Sequence, residues 1–303
     1  MNKYTPQQEF DRELYLATYE GEDRMVTSHE LNEMLQKQPV VPKIKTGFSQ
    51  LDEVLQDVEA GELIVLSGPS AEGKSTLMRT ITKNIADKHK CIWFNFEDSN
   101  RQFFSRFKGN PPLFYMPAAN LDNTVAWMND RIDEARKKYF AEGELGVVFI
   151  DHLHAILTQM RFQGHLSLEI GDITQKIKDF ATQKNLIVFL GAHCLDLPEK
   201  SVKDYRKSHV RDSGLINRIA DTVLLIWRVP NSYQWGQKLR IEDEITNFDS
   251  KAILKVDKNR REGTCSKIFL NHKEHFFYPI DFMHQDDEPH EPIIQDDTQI
   301  SFV

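Results

Sequence analysis

From about residue 43 to residue 283 the chain alternates short apolar runs with longer amphipathic stretches. ELIVLSG (62–68), KCIWFNFE (90–97), LGVVFID (145–151), NLIVFLGAH (185–193), DTVLLIW (221–227), KAILKVDK (251–258) and SKIFLN (266–271) all read as strands. A strand that is apolar along its whole length is one buried on both faces. With helix-length segments between the strands, this pattern predicts an α/β fold with a mostly parallel sheet covered by helices on both sides. Upstream the pattern changes. Residues 5–20 read as a short polar helix and TSHELNEMLQKQ (27–38) as a better one, with Thr27 and Glu30 in capping-box spacing and Leu31, Met34 and Leu35 along one face. Pro39 and Pro42 stop it. A helix this short is marginal alone, so its apolar stripe is expected to be buried on its own core or on another subunit. The last twenty or so residues, with Pro, Asp and Gln and little periodicity, read as disordered. The expected organisation is therefore a helical linker or oligomerisation segment (1–42), one large domain (43–283) and an acidic flexible tail (284–303).

Composition supports one large core: 303 residues, 40% of them hydrophobic. No run approaches the length of a membrane span, and the first residues lack the apolar block of a signal peptide, so a cytoplasmic protein with no membrane partner is expected. Cys91, Cys194 and Cys265 sit singly, without metal-site or disulfide spacing, and read as structural. The net charge of −8 is unevenly placed. Residues 281–303 carry seven acids and no Lys or Arg, and residues 1–38 carry eight acids against four bases, which leaves 39–280 net positive by three. The acidic total therefore does not argue against a nucleic-acid partner.

Gly68, Pro69, Ser70, Ala71, Glu72, Gly73, Lys74 and Ser75 satisfy G-x-x-x-x-G-K-[ST] and, with Thr76, join a predicted strand to the helical stretch STLMRTITKNIADKH. In such a loop the glycines let backbone N–H groups face phosphates, Lys74 neutralises the β and γ oxygens, and the Ser75 hydroxyl ligates Mg²⁺. The loop is thus expected to bind a nucleoside triphosphate, a chance match in a turn being the alternative. Asp151, closing the apolar run LGVVFID, is placed as the second metal-side group. Hydrolysis also needs a group that orients or deprotonates water. Glu97, closing CIWFNFE, is the best candidate, with an ordinary strand-end acid as the alternative reading.

Several segments together resemble a family. TGFSQLDEVLQDVEAGELIVLSGPSAEGKST (46–76), FNFEDS (94–99), VVFIDHLHAI (147–156), LGAHC (190–194), VRDSGLINRIADTVLLIWR (210–228) and KNRREGT (258–264) occur in the order of the motifs of DnaB-type hexameric replicative helicases. The likeness covers roughly 44–280 and is greatest to the RecA-like motor domain shared by bacterial DnaB, phage primase-helicases and the mitochondrial replicative helicase. It implies a RecA-like P-loop core that hydrolyses ATP with Mg²⁺. By the same resemblance Glu97 activates water, and His193 senses the γ-phosphate and moves the loop after it, where the residues alone also allow a core histidine. Lys258 and Arg260 resemble the K-x-R pair that reaches into the neighbouring subunit's nucleotide, where the residues alone also allow a solvated edge, and such a trans arrangement requires head-to-tail contacts that close into a ring. The 27–38 helix fits the family's linker helix.

The family's DNA-facing loops correspond here to EKSVKDYRKSHVRDSG, in which Arg206, Lys207, Arg211, Asp212 and Gly214 are the expected contacts to a single strand, with Lys200 and Lys203 as further bases. Residues 161–172 are a second candidate channel loop. Two departures stand out: no zinc-binding or primase-like module precedes the motor, and the N-terminal segment is too short for the DnaB N-terminal domain. A primase or single-strand-binding protein would then be a separate partner. The acidic tail ending QDDTQISFV is open to three readings: a partner-recruiting tip, a competitor for DNA, or a solubilising end. The expectation is a ring-forming, ATP-dependent helicase that translocates on single-stranded DNA and unwinds forked duplex, in replication of a phage or similar compact element. A RecA/RadA-like recombination ATPase or a non-motor ATP-dependent loader are the alternatives.

Overall fold

The computed structural model describes residues 5–21, 23–38, 40–157, 166–195, 205–210, 213–228 and 251–279. The chain divides into two compact units, Met1–Val41 and Pro42–Val303. In the first, helix α1 (Pro6–Ala17) opens on a reciprocal capping box between Thr5 and Gln8, and α2 (Ser28–Gln36) is capped by the Thr27 side chain accepting from the Glu30 N–H at 3.1 Å. Leu31, Met34 and Leu35 are all exposed.

The second unit begins with β1 (Lys43–Ile44), α3 (Ser49–Leu55) and β2 (Val58–Glu59), the two short strands pairing antiparallel. There follow β3 (Leu63–Gly68), α4 (Lys74–Ile85), β4 (Lys90–Asn95), α5 (Asn100–Ser105), α6 (Val125–Tyr139) and β5 (Gly146–Asp151). The remainder is α7 (Leu153–Leu157), α8 (Leu166–Gln183), β6 (Ile187–His193), α9 (Ser213–Ile219), β7 (Thr222–Arg228), β8 (Lys251–Asn259), β9 (Ser266–Lys273) and β10 (Phe276–Pro279). The main sheet runs β10-β9-β8-β7-β3-β6-β5-β4. Its β7-β3-β6-β5-β4 side is parallel, and β8, β9 and β10 are added antiparallel. All seven strands expected from the sequence form. The reversed direction of β8 and β9, and the short β1, β2 and β10, were not legible from the pattern.

Side chains alternate faces along a strand, and here both faces are covered. Leu63 and Val65 of β3 point into one apolar layer with Met128 and Ile132 of α6 and Ile173 and Ile177 of α8. Ile64 and Leu66 point into the other with Leu51 of α3, Leu77 and Ile81 of α4 and Phe103 of α5. In that second layer Trp93, Phe149 and Phe189 stack across β4, β5 and β6 at centroid distances of 5.0 and 5.2 Å. Truncating a fully buried ring of this kind costs about 3–5 kcal/mol. At the outer edge of the sheet, Tyr115 exchanges backbone bonds with β4, accepting from Trp93 N and donating to Cys91 O, both at 2.8 Å, while the Asn120 amide donates to Asn95 O at 2.6 Å. Cys91 and Cys194 are buried, whereas Cys265 is exposed, so core packing does not explain the third thiol. Among the described residues no helix is long and apolar enough to cross a membrane.

Candidate functional site

In an open α/β sheet ligands bind beyond the carboxyl ends of the parallel strands, where the strand order reverses. Here that point is the end of central β3, flanked by β6 and β7. Its last residue, Gly68, passes so close to β7 that a Cβ would lie 2.1 Å from the Ile226 carbonyl oxygen. Gly73, at the N-cap of α4, has φ +111°, and a Cβ there would meet the Phe277 ring at 2.6 Å. Both glycines are therefore fixed by geometry, and the loop between them is tied to the sheet by Glu72, whose carboxylate accepts from the Arg228 N–H.

Lys74 is buried, and its ammonium donates to the Gly68 and Pro69 carbonyls at 3.0 and 2.8 Å. Burial lowers its pKa, opposed by the carboxylates of Asp151 and Glu97. Ser75 donates its hydroxyl to Asp151, which ends β5 and is fully buried. Burial pushes the Asp151 carboxyl up to about 6, with the Glu97 charge adding to the shift and Ser75, Arg79 and Lys74 holding it back. The Asp151 Oδ1 atom has no hydrogen-bond partner. A half-satisfied buried carboxylate against a serine hydroxyl and beside an ammonium is the donor set of a hard divalent cation bound with a phosphate ester, so the site fits Mg²⁺ and a triphosphate.

Glu97 follows the end of β4. Because Asn95 is in register with Asp151 and Phe96 N donates to Asp151 O at 2.8 Å, the Glu97 carboxylate comes over the same end of the sheet, half-exposed. His193, the last residue of β6, is in register with Gly68. Its ring lies 4.1 Å from His152 and 4.9 Å from His154, two residues that sequence reasoning left without a role although they follow Asp151 directly in VVFIDHLHAI. Their pairing with His193 is invisible in sequence because it is made across two strands. The structure thus brings Lys74, Ser75, Asp151, Glu97 and His193 together. A further unforeseen neighbour is Arg79, wholly buried in α4, with one nitrogen on Thr76 Oγ1 at 3.2 Å, two unpartnered, and a pKa lowered to about 10 by burial.

Lys258 and Arg260 lie at the opposite end of the sheet. Arg260 N donates to Asp221 O and Asp221 N to Leu63 O, so this corner is level with the first residue of β3, five residues before Gly68. Lys258 Nζ donates to the carbonyls of Asn217 and Ala220, and Arg260 to those of Arg218 and Ile219, so both cations neutralise the carboxyl end of α9. Burial, with Arg260 nearby, brings Lys258 down to about 8. Arg260 also pairs with Asp221 at 3.0 Å, but Asp221 has other partners, Lys178 Nζ at 2.6 Å and Leu63 N at 2.8 Å.

Of the expected strand contacts, Arg206 and Lys207 are exposed beside a single 3-10 turn, Lys207–His209. The Lys207 N–H donates to Asp257 and its carbonyl accepts from the Asn217 amide. Gly214 lies in the first turn of α9 and not in an open loop, and a Cβ there would face empty space. Arg211, Asp212, Lys200, Lys203, residues 161–165 and the acidic tail lie outside the described residues. The 205–210 segment is joined to β6: Leu195 N and the Cys194 thiol both donate to His209 O, at 2.8 and 3.0 Å.

Residues 43–110 and 116–278 match the family described as DnaB-like helicase C-terminal domain. Among relatives, the chain is 23% identical over 270 residues to a probable replicative DNA helicase of Trieres chinensis, covering 79% of this chain and 58% of that protein. It is 24% identical to the replicative DNA helicase DnaB of Geobacillus stearothermophilus, covering 84% and 61%. The chain spans about six tenths of the length of these relatives. Among solved structures, a DnaB-like replicative helicase described with its interactions with primase superposes with a TM-score of 0.65 at 15% identity, covering 91% of this chain and 73% of that one.

Proposed function

The chain belongs to the DnaB-like helicase C-terminal domain family, and on that premise we propose that it is the ATP-hydrolysing motor of a ring-forming DNA helicase. The observation that supports the reading is that two groups of charged and polar side chains lie at opposite ends of one sheet, Lys74, Ser75, Asp151 and Glu97 at one, Lys258 and Arg260 at the other, which we take as the two halves of one site. Rings built from head-to-tail contacts bring unlike surfaces of identical subunits together, which is what two such halves require.

In this reading Ser75 and Asp151 would hold Mg²⁺, which would supply positive charge to offset that developing on the phosphate oxygens of ATP. Lys74 gives up the Gly68 and Pro69 carbonyls for phosphate oxygens. Glu97 orients the attacking water and accepts its proton. Arg260 leaves Asp221, which keeps Lys178 and Leu63 N, and reaches the nucleotide of the adjacent subunit together with Lys258. His193 responds to loss of the γ-phosphate. The reading is supported by its direct continuation into Cys194 and Leu195, whose bonds to His209 lead to Arg206 and Lys207, the bases assigned to a single DNA strand. Arg211, Asp212 and Gly214 extend that contact, and a separate primase or single-strand-binding protein is the expected partner of the assembled ring in the cytoplasm.

The test is ATP-dependent unwinding of a forked duplex by the assembled protein, with Glu97→Gln as control and electron microscopy to separate closed rings from filaments. Closed rings that displace the strand, with activity lost in Glu97→Gln, are expected. Strand binding without displacement under ring-forming conditions would sink the helicase reading, and filaments would point to a recombinase-type ATPase.

A further inference from the structure

Beside Asp151, three imidazoles converge from three places in the fold. His152 directly follows β5, His154 lies in α7 between the buried Leu153 and Ile156, and His193 ends β6. One nitrogen from each lies within 4.8 Å of the other two. The ring centroids are 4.1 Å apart for His152 and His193, 4.9 Å for His154 and His193, and 6.0 Å for His152 and His154. His152 is nine-tenths buried, and its Nδ1, 3.7 Å from the Glu97 carboxylate, has no hydrogen-bond partner.

Imidazole nitrogen is a borderline donor that favours Zn²⁺, Co²⁺ and Ni²⁺, whereas Mg²⁺ takes oxygen ligands in an octahedral shell. The chain therefore sets two donor groups of different chemical taste side by side, the oxygens of Ser75 and Asp151 and the nitrogens of the histidines. Three histidines with a fourth position open is an established zinc ligand set, and Zn–N bonds of about 2.1 Å put the nitrogens about 3.4 Å apart. The closure needed is small and within the reach of side-chain rotation, since Leu153 and Ile156 already anchor α7.

We propose that His152, His154 and His193 form a binding site for a borderline transition-metal ion, Zn²⁺ being the natural occupant, and that its occupation arrests turnover by holding His193. Arrest rests on the role given to His193 above, while metal binding does not. Because His193 leads into the segment carrying Arg206 and Lys207, the bound ion would also fix that segment, coupling the metal to strand release.

The experiment uses the full chain without nucleotide and Co²⁺ as the probe, read by its visible ligand-field absorption and displaced by Zn²⁺. Expected are one ion per chain and an affinity at least about tenfold weaker in His154→Phe. Mg²⁺-dependent ATPase is retained in that variant, and Zn²⁺ inhibition, reversed by a chelator in the parent, is lost. His154→Asn provides a second substitution should the larger ring disturb α7. Glu97→Gln leaves Co²⁺ affinity unchanged. Unaltered affinity in both His154 variants, or its loss in Glu97→Gln, would place the ion on the carboxylates and overturn the site. Tight Co²⁺ binding with no effect of Zn²⁺ on ATPase would overturn the arrest. Absence of unwinding with Co²⁺ binding intact would count only against the helicase reading.

Discussion

Arg260→Ala should nearly abolish ATP hydrolysis by the assembled protein while scarcely changing the fold. The corner holding Arg260 is level with Leu63, and the nucleotide loop starts at Gly68. At about 3.3 Å per residue along β3, at least about 16 Å separate them, more than an arginine side chain spans. If Arg260 acts on a nucleotide, that nucleotide must therefore be held by another copy. Its side chain is 50% exposed, so its pair with Asp221 contributes at most about 1 kcal/mol; when it goes, Asp221 retains Lys178 and Leu63 N, and although the Arg218 and Ile219 carbonyls lose their donor, the end of α9 keeps Lys258. An arginine supplied in trans is worth about 10³-fold or more in rate, or about 4 kcal/mol of barrier. The decisive assay mixes Arg260→Ala with Lys74→Ala, each inactive alone. In a random equal mixture about a quarter of the head-to-tail interfaces pair an intact Lys74 with an intact Arg260, so the mixture should regain about that share of parental activity. No recovery on mixing, or an Arg260→Ala rate within about tenfold of the parent, would refute the trans assignment.

Two other predictions concern the nucleotide end and the DNA end. Burial favours the uncharged acid at Asp151, so its contribution to stability is full below the unfolded value near 4 and is lost as pH rises toward about 6. Asp151→Asn should flatten that slope and, without Mg²⁺ or nucleotide, raise stability near neutral pH by up to about 2–3 kcal/mol, while ending ATP hydrolysis. Melting curves across that pH range check it, and an unchanged slope would count against a buried, half-satisfied carboxylate. Arg206→Ala should weaken single-stranded DNA binding equally for all sequences and reduce the slope of log K against log salt by about 0.7, measured by fluorescence anisotropy. An unchanged slope would remove Arg206 from the strand.

The strands were legible because β3, β5, β6 and β7 are buried on both faces and so are written as continuous apolar runs. Strand direction was not, since β8, with Ala252, Ile253, Leu254 and Val256 buried between two neighbours, reads as a strand whichever way it runs. Lys74, Ser75 and Asp151 were legible because backbone geometry demands particular residues at fixed spacing. Lys258 and Arg260 came only from resemblance: what holds them, Asp221 and the end of α9, lies about forty residues away in sequence. The histidine cluster was hidden by the same distance: His152 and His154 follow Asp151 closely, while His193 ends another strand. Arg79 offered no signal at all. An arginine one and a half turns into a helix reads as a surface residue until α4 is seen pressed against β10.

The outer edge of the sheet bears on how copies of this chain tolerate crowding. An open edge strand is a template on which a second molecule can extend the sheet, and that growth has no natural stop. On β4 the outward-facing Cys91 carbonyl and Trp93 amide are already bonded to Tyr115, and the Asn95 carbonyl to Asn120. With those positions occupied from within, neighbouring molecules have little backbone ladder to continue there. Any association along this edge must be specified by side chains, which can be selective and reversible, so the protein can be concentrated at one place without risk of polymerising along β4.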